Sequence, residues 1–221
     1  MPGSQTMLRF SLMFAALLAL AGCQSGSMQT LQSAIWGAEM PSGKNLNPAF
    51  AYLRTTVGKR VAFLALGNNE SHPQGPMEVW YSAEREVIRL QNGRLAGAGG
   101  TLTEWRQVRM PVLPSWRALA GMNRAYAWER VRDVMPGYHF NVVDRLQVRV
   151  IAPPLQHRLV GISPSALTWF EESQVSVSDT AALPPAHYAV EFTADAERVV
   201  YAEQCLSAET CFTWQRWRAG Q

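Results

Sequence analysis

The sequence has few cysteines, histidines and lysines, and each shortage narrows the chemistry it can support. Its 221 residues include three cysteines and four histidines, and Lys44 and Lys59 are the only lysines among 20 basic residues. The histidines, at positions 72, 139, 157 and 187, form no H-E-x-x-H motif and no i, i+4 pair, so the pattern of a zinc hydrolase is missing. We therefore expect no metal ion and no cofactor. A formal net charge of +3 is too small to indicate a nucleic-acid partner.

Long apolar runs are also missing. The stretch from Phe10 to Leu20 has only about eleven residues, whereas a membrane-spanning helix needs roughly 20. Arg9 precedes this stretch, and no acidic residue occurs before Glu39. A short basic region followed by a short apolar region is typical of a secretory signal peptide, with translation starting at either Met1 or Met7.

The signal ends in Leu20-Ala21-Gly22-Cys23, which resembles the lipobox of bacterial lipoproteins. This resemblance implies thioether lipidation of Cys23, cleavage after Gly22, and acylation of the new amino terminus with fatty acids such as palmitate. Two or more acyl chains make a stable membrane anchor, whereas one does not. Gln24, in place of an aspartate, favours the outer membrane, with the protein facing the periplasm. The alternatives are a signal without lipidation, or a buried apolar helix with an incidental cysteine.

The two remaining cysteines, Cys205 and Cys211, form a pair once Cys23 carries lipid. An exported protein enters an oxidising compartment, where disulfides persist. The segments on either side, Val199–Ala202 and Phe212–Trp214, have the composition of β-strands. We expect a structural disulfide across a hairpin near the carboxyl terminus.

Three segments follow from these patterns: a signal peptide at 1–22, a lipidated tether with a short helix at 23–47, and a β-rich domain at 48–221. The helix is predicted over Met28–Trp36 from its apolar spacing. In the domain, Gly58-Lys59 and Asn92-Gly93 are hairpin turns between short β-like runs. Further β-like runs include Arg158–Ile162.

The expected fold is mainly β, a single antiparallel sheet with the curvature of a half-barrel. Leu146, Val148 and Val150 alternate with polar residues, as in a strand with one solvated face. The exception is the segment from Trp116 to Val134, whose spacing predicts one or two short helices in the middle of the chain.

The order of these segments resembles the YjbF/GfcB family, the group 4 capsule lipoprotein family. The resemblance lies in F-A-Y-L-R-T-T-V-G-K-R-V-A-F-L-A-L (Phe50–Leu66), W-Y-S-A-E-R-E-V-I-R-L-Q-N-G-R-L (Trp80–Leu95), Trp116 and P-G-Y-H-F (Pro136–Phe140). It spans most of residues 46–204. It implies a mostly β fold and a role in polysaccharide production or export, and it supplies no catalytic residues.

Catalytic motifs are weak. Gly161-Ile162-Ser163-Pro164-Ser165 is similar to a nucleophile elbow, but Pro164 lacks the backbone N–H that an oxyanion hole uses. Glu171 and Glu172 would point to opposite faces of a strand, so they cannot act together as a glycosidase pair. We therefore expect no catalytic residues and a protein that is not an enzyme.

Tryptophan beside arginine suggests a different role, because sugars stack on aromatic rings and arginine binds carboxylates. The candidate contacts for a glycan or partner are Trp105 with Arg106, and Trp217 with Arg216 and Arg218. Trp217, near the terminus, is expected to be the most exposed. The opposing interpretation is that most of the eight tryptophans fill the core.

Three functional hypotheses follow. The first is an outer-membrane lipoprotein, held by its lipid anchor, that assists exopolysaccharide or capsule secretion by binding export proteins or acidic polysaccharide. The second is a carrier of lipid or lipoprotein with an apolar cavity. The third is an envelope hydrolase, which would need a cleft that brings distant carboxylates or a histidine together. A packed core with exposed tryptophan and arginine would favour the first hypothesis, whereas a large dry cavity would favour the second.

Overall fold

The computed structural model describes residues 46–72, 75–176 and 182–220. The expected signal peptide, Cys23, the expected tether up to residue 45 and the helix expected over Met28–Trp36 lie outside these residues. Strands account for 56% of the described part, so the expected mainly β class is confirmed. None of the helices in the described ranges is long and apolar enough to cross a bilayer.

Twelve strands and one α-helix make up the regular structure of the described residues. The strands are β1 (Tyr52–Val57), β2 (Arg60–Glu70), β3 (Met77–Tyr81), β4 (Val87–Gln91), β5 (Arg94–Gly99), β6 (Glu104–Arg109), β7 (Tyr126–Met135), β8 (His139–Ile151), β9 (Thr168–Ser176), β10 (Ala186–Phe192), β11 (Glu197–Cys205) and β12 (Cys211–Trp217). The helix is α1 (Trp116–Ala120), and Pro164–Ala166 forms a single 3-10 turn.

The two hairpin turns predicted from sequence are present. Gly58 has a φ of 57° between β1 and β2, while Asn92 and Gly93 have φ values of 50° and 79° between β4 and β5. Positive φ at both central residues suits a two-residue hairpin turn, since it matches the twist of the strands. Gly93 also lies against Val199, so a Cβ at position 93 would overlap the valine side chain.

The strands form a closed antiparallel barrel, so the expectation of an open sheet or half-barrel was wrong. Each strand pairs with its neighbours in sequence, and β1 pairs with β12 in a register that runs from Tyr52↔Trp217 to Thr56↔Thr213. Alternation in a sequence reports which side of a strand is buried, but it does not report which distant strands pair. Closure removes both sheet edges and with them the unpaired backbone groups that an open sheet exposes.

The helices expected between Trp116 and Val134 reduce to the five residues of α1, and most of the remainder is β7. Ser115 caps the helix, since its side-chain oxygen accepts a hydrogen bond from the Ala118 N–H at 3.1 Å. In β7, Trp128, Arg130 and Arg132 are buried on one face. The alternation of buried and exposed residues along β7 does not show in the hydropathy of the sequence, because arginine has the hydropathy of an exposed residue even where it is buried.

The run Arg158–Ile162 is also not a strand. It belongs to the connection between β8 and β9, residues 152–167, which we call the strap. Leu159 and Leu167 of the strap pack on the outer wall of the barrel, against the buried side chains of Trp169, Ala189 and Tyr201. The strap therefore gives this wall a second covered face, which explains why consecutive residues such as Trp169 and Phe170 are both buried.

Large side chains fill the barrel interior. The bulkiest fully buried side chains of the described residues are aromatic: Trp80, Trp105, Trp169, Trp214, Tyr188, Tyr201 and Phe170. Of these, Trp169 and Tyr201 lie on the outer wall under the strap. From α1, Trp116 packs against Phe170 and Tyr188, with ring centroids 4.9 and 5.0 Å apart. The interior is a packed core.

Charged side chains form part of this core, which sequence reasoning missed. Asp144 on β8 accepts hydrogen bonds from the Nε atoms of Arg130 at 2.9 Å and Arg132 at 2.7 Å. Separately, Arg94 pairs with Glu172 at 2.9 Å, and both are almost completely buried. Since buried charges are costly unless they are paired, these contacts are needed for the interior to close.

The ion pairs hold Asp144 in its charged form. Burial by itself would raise the pKa of Asp144, but the hydrogen bond from Arg132 and the charges of Arg130 and Arg132 outweigh it, so the pKa falls below its ordinary value. The carboxylate therefore stays ionised inside the barrel at neutral pH.

The disulfide between Cys205 and Cys211 is present. The two residues face each other in the β11–β12 hairpin, with their Cα atoms 3.9 Å apart. The bridge closes the hairpin whose turn carries Leu206, and the Leu206 carbonyl accepts the indole N–H of Trp105 at 3.0 Å.

The Cys205→Ser/Cys211→Ser variant is expected to lose about 2 kcal/mol of unfolding free energy, because the bridge constrains a short loop in the unfolded chain. Urea denaturation of the oxidised wild type and the variant measures this difference. Cys23→Ser is the matched control, since it removes a thiol without touching the pair. Equal denaturation midpoints for all three proteins would contradict the prediction.

The Asp144→Asn variant should lose about 3 kcal/mol or more at neutral pH, because Arg130 and Arg132 are left buried without their anion. The folded pKa of Asp144 is lowered, so its contribution is present above the unfolded pKa of about 3.9 and is lost as the pH falls through the folded value. Urea denaturation between neutral and strongly acidic pH should therefore show a steeper acid loss for the wild type than for the variant. Glu129→Gln, which removes an exposed partner of Arg145, should change little. Equal losses in the two variants would refute this account.

Candidate functional site: the mouth of the barrel

The two ends of the barrel carry different connections. In an up-and-down barrel, successive turns alternate between the ends. The start of β1, the end of β12, α1, the strap and the turn at 193–196 therefore lie at one end, which we call the tether end. The opposite end carries the turns at 58–59, 82–86, 100–103, 136–138 and 206–210.

A wide opening lies at the tether end, and we call it the mouth. It consists of two adjoining cavities of about 400 and 700 Å³, which share Glu191, Arg198 and Arg216 as lining residues. The larger cavity is also lined by Phe50 and Trp217. Barrel mouths are common ligand sites, because strand ends there present side chains around a concave surface.

Arg216 is held firmly at this site. Its Nη2 atom donates to both carboxylate oxygens of Glu78, at 2.8 and 2.9 Å, and its Nε donates to the Val199 carbonyl at 2.9 Å. Both charged side chains are mostly buried. The guanidinium of Arg216 therefore joins β12 to β3 across the mouth, and part of its charge is balanced within the protein.

The other two residues predicted on this segment also lie at the mouth. Arg218 is exposed, and Trp217 is half-buried, which makes it the most exposed tryptophan of the described residues, as expected. The Trp217 ring packs 5.9 Å from Phe63, and the guanidinium of Arg54 lies 5.8 Å from its centroid. The indole edge therefore belongs to the barrel wall, and only part of the ring can meet a ligand.

A second cation, missed by sequence reasoning, completes the rim of the mouth. Arg198 on β11 is exposed and pairs with Glu191 on β10 at 2.9 Å. Neither residue stands beside a tryptophan in the sequence, so the search for tryptophan–arginine neighbours could not find it. The barrel brings Arg198 and Arg216 together because β11 and β12 are adjacent strands that meet there.

Trp105 and Arg106 do not line the mouth, and the assignment of Trp105 as a surface contact was wrong because its side chain is buried. Trp105 is only 1% exposed and lies inside the barrel, with the guanidinium groups of Arg130 and Arg132 at 4.5 and 4.8 Å from its ring. Arg106 is exposed and pairs with Glu104 at 2.7 Å. Neighbouring residues of a strand point to opposite faces of the sheet. Because Trp105 and Arg106 are adjacent on β6, one side chain points into the barrel and the other points to solvent.

The remaining titratable cluster lies on the outer wall. His187 lies between Glu203 at 3.3 Å and Glu171 at 3.7 Å, and the hydrogen bond to Glu203 raises the pKa of His187 despite its partial burial. Tyr201 donates its hydroxyl to Glu203 and accepts the backbone N–H of Arg158 at 2.8 Å. The hydrogen bond between Arg158 and Tyr201 fastens the strap to this wall. Within the described residues, no group of three or more histidine, cysteine or carboxylate side chains could hold a metal ion.

Comparisons with known proteins agree with this fold. The sequence profile of the family described as group 4 capsule polysaccharide lipoprotein gfcB, YjbF matches residues 30–212. The crystal structure of the hypothetical lipoprotein YmcC from Escherichia coli (K12) resembles the chain with a TM-score of 0.57 and 14% identity, over 89% of this chain and 99% of that one. At this identity the likeness shows the fold alone, and no curated protein matches the sequence. Because the family profile covers well over half of the chain, the protein belongs to the group 4 capsule polysaccharide lipoprotein family.

Proposed function

We propose that this protein is an outer-membrane lipoprotein, facing the periplasm, that assists capsule or exopolysaccharide secretion without catalysing a reaction. The observation that carries the proposal is the family assignment over residues 30–212. In this proposal the mouth of the barrel is the contact surface, and its partner is acidic polysaccharide or a protein of the export machinery.

The membrane location depends on Cys23. The apolar stretch, the preceding Arg9 and the residues Leu20-Ala21-Gly22 are the features that a lipoprotein signal requires. Gln24 supports the outer rather than the inner membrane. A multiply acylated amino terminus would keep the barrel at the membrane surface, since two or more chains make dissociation slow.

The mouth suits an anionic, sugar-like partner. Guanidinium groups bind carboxylates with two parallel hydrogen bonds. Nη2 of Arg216 is already bonded to Glu78 and its Nε to the Val199 carbonyl, so the exposed Arg198 and Arg218 are the groups that a partner's carboxylate can reach. Glu191 holds Arg198 in place without enclosing it. Phe50, half-exposed on the rim, offers an aromatic face beside the cations. This combination supports recognition of an acidic polymer more than recognition of a neutral or apolar ligand.

The carrier hypothesis has less support. A lipid carrier needs an apolar cavity, but the interior of the described barrel is occupied by Trp80, Trp105, Trp214 and the Asp144 ion pairs. The cavities at the mouth are open, and charged side chains line both of them beside apolar and aromatic ones. These features favour surface contact over enclosure of an acyl chain.

The anchor is tested by metabolic labelling with a clickable fatty acid. The wild type should incorporate label and fractionate with the outer membrane, whereas Cys23→Ala should lose the label, because the thiol is the acceptor atom. Cys205→Ala/Cys211→Ala serves as the control and should retain the label. Label that persists in Cys23→Ala would refute lipidation at this residue.

The contact surface is tested by complementing a deletion strain and measuring surface polysaccharide. The Arg198→Glu/Arg218→Glu variant should lower the yield at least about twofold, because charge reversal repels an acidic partner at the mouth. Arg106→Glu/Arg145→Glu reverses two exposed arginines away from the mouth and should complement fully. Immunoblots and thermal melts establish equal abundance and folding. Unchanged polysaccharide in the deletion strain itself would refute the proposed role, and equal effects of the two variants would refute the mouth as its site.

A further inference from the structure

The strap carries an exposed apolar surface beside the mouth. Leu155 is fully exposed, and Val160 and Ile162 each expose about two fifths of their surface. Phe50, which is half-exposed, lines the same cavity as Ile162. These four residues, which we call the strap surface, are a third of the exposed bulky hydrophobic residues of the described chain.

This surface is rigidly supported. The backbone N–H of Val160 donates to Gln215 at 2.9 Å, and the Gln215 side chain donates to the Val160 carbonyl at 2.7 Å. Trp169 donates its indole N–H to the Pro164 carbonyl at 2.9 Å. Tyr201 holds the strap at Arg158. The strap is therefore fixed to the barrel at Arg158, Val160 and Pro164, with Leu159 packed below it, so Ile162 within this fixed segment stays exposed.

The strap surface adjoins the place where the anchored chain enters the barrel. Phe50 lies four residues after Leu46, the first described residue, and it shares the mouth with Ile162. However the chain between Cys23 and Leu46 is arranged, it can reach at most about 80 Å. A lipid anchor on Cys23 would therefore hold the barrel within about 80 Å of the bilayer, at a high local concentration, with the chain entering the barrel at this end.

The charge around the strap surface also suits a membrane. Arg158 on the strap is exposed. The pKa of Arg54 on β1 is lowered, mainly by burial and next by the positive charge of Arg158. Arg218 is exposed on the same side of the mouth. The acidic groups below, Glu171 and Glu203, are balanced by Arg149 and His187. Arginine beside exposed apolar side chains is the pattern of proteins that rest on anionic lipid headgroups.

We propose that the strap surface lies directly on the bilayer that holds the lipid anchor, with Leu155 and Ile162 inserted among anionic headgroups and Phe50 at the edge of the contact, beside the mouth. The inference depends on the proposed anchoring of Cys23, and it adds an orientation to it. The mouth then opens beside the membrane surface, where a polymer that crosses the membrane would emerge.

A second exposed apolar group, at the opposite end, provides the matched control. Leu102, Tyr138 and Phe140 are each more than half exposed, and the rings of Tyr138 and Phe140 are 6.4 Å apart. They are as apolar as the strap surface, but they lie at the end away from the tether. Nonspecific hydrophobic adsorption would make both groups bind lipid, whereas the proposal assigns the contact to the strap surface alone.

The experiment uses the mature chain from residue 23 with Cys23→Ser, so that no acyl chain contributes. Co-sedimentation is measured with vesicles of phosphatidylethanolamine and phosphatidylglycerol, and with vesicles of phosphatidylcholine alone. The Leu155→Ser/Ile162→Ser variant is compared with Leu102→Ser/Tyr138→Ser, and thermal melts verify that both variants fold. In parallel, hydrogen exchange of the lipidated wild type in proteoliposomes measures protection of the strap.

The unmodified surface should bind the anionic vesicles, and the strap variant should bind at least about fivefold more weakly, while the opposite-end variant binds normally. The strap should gain exchange protection in proteoliposomes. Absence of vesicle binding, equal losses in the two variants, or equal binding to phosphatidylcholine would overturn the proposal. A dimer in sedimentation analysis that the strap variant abolishes would assign the surface to a second copy and also overturn it. Because no polysaccharide is measured, failure here is distinct from failure of the secretion role.

Discussion

The pairing of β1 with β12 is the constraint on which the rest of the structure depends. It converts a series of hairpins into a ring without edges, so all strand backbones are satisfied within the protein. A ring of twelve strands is wider than the eight-stranded barrels whose interior ordinary side chains can fill. The interior must therefore be filled by the largest residues available, and Trp80, Trp105 and Trp214 occupy it. Trp116 from α1 adds a further ring at the tether end and stacks on the guanidinium of Arg94 at 3.9 Å.

The same width explains the buried charges. Arginine is long, and its planar guanidinium stacks on aromatic rings, so Arg130 and Arg132 fill space beside Trp105 while they pair with Asp144. An apolar residue of the same reach does not exist among the common amino acids. The cost is that each guanidinium needs an anion in the core, which ties β7 to β8 through specific hydrogen bonds. Because both arginines depend on the same carboxylate, the protein tolerates substitution of Asp144 poorly.

Sequence reasoning predicted the β class, the Gly58 and Asn92-Gly93 turns, and the disulfide, because each depends on local preferences of a few residues. It failed where the outcome depends on distant pairing. The run Arg158–Ile162 has the composition of a strand, but it packs outside the barrel because every strand edge is already occupied. Trp105 and Arg106 are neighbours in sequence and lie on opposite faces of β6. Arg198 belongs to the mouth only because β11 lies beside β12, and no feature of its own segment indicates this.

The number of strands also decides where the candidate site lies relative to the membrane. An up-and-down ring with an even number of strands returns the chain to the end where it started, so the segment before β1 and the segment after β12 must meet. Phe50 and Trp217 consequently line one cavity, and Arg216 and Arg218 are carried to the end from which the chain leads back to Cys23. With an odd number of strands, the terminal arginines would lie at the far end, away from any amino-terminal anchor. The convergence of the chain's entry point, the strap and the mouth at one end is therefore a consequence of closure itself, so a bilayer that touched the strap would also lie beside the mouth.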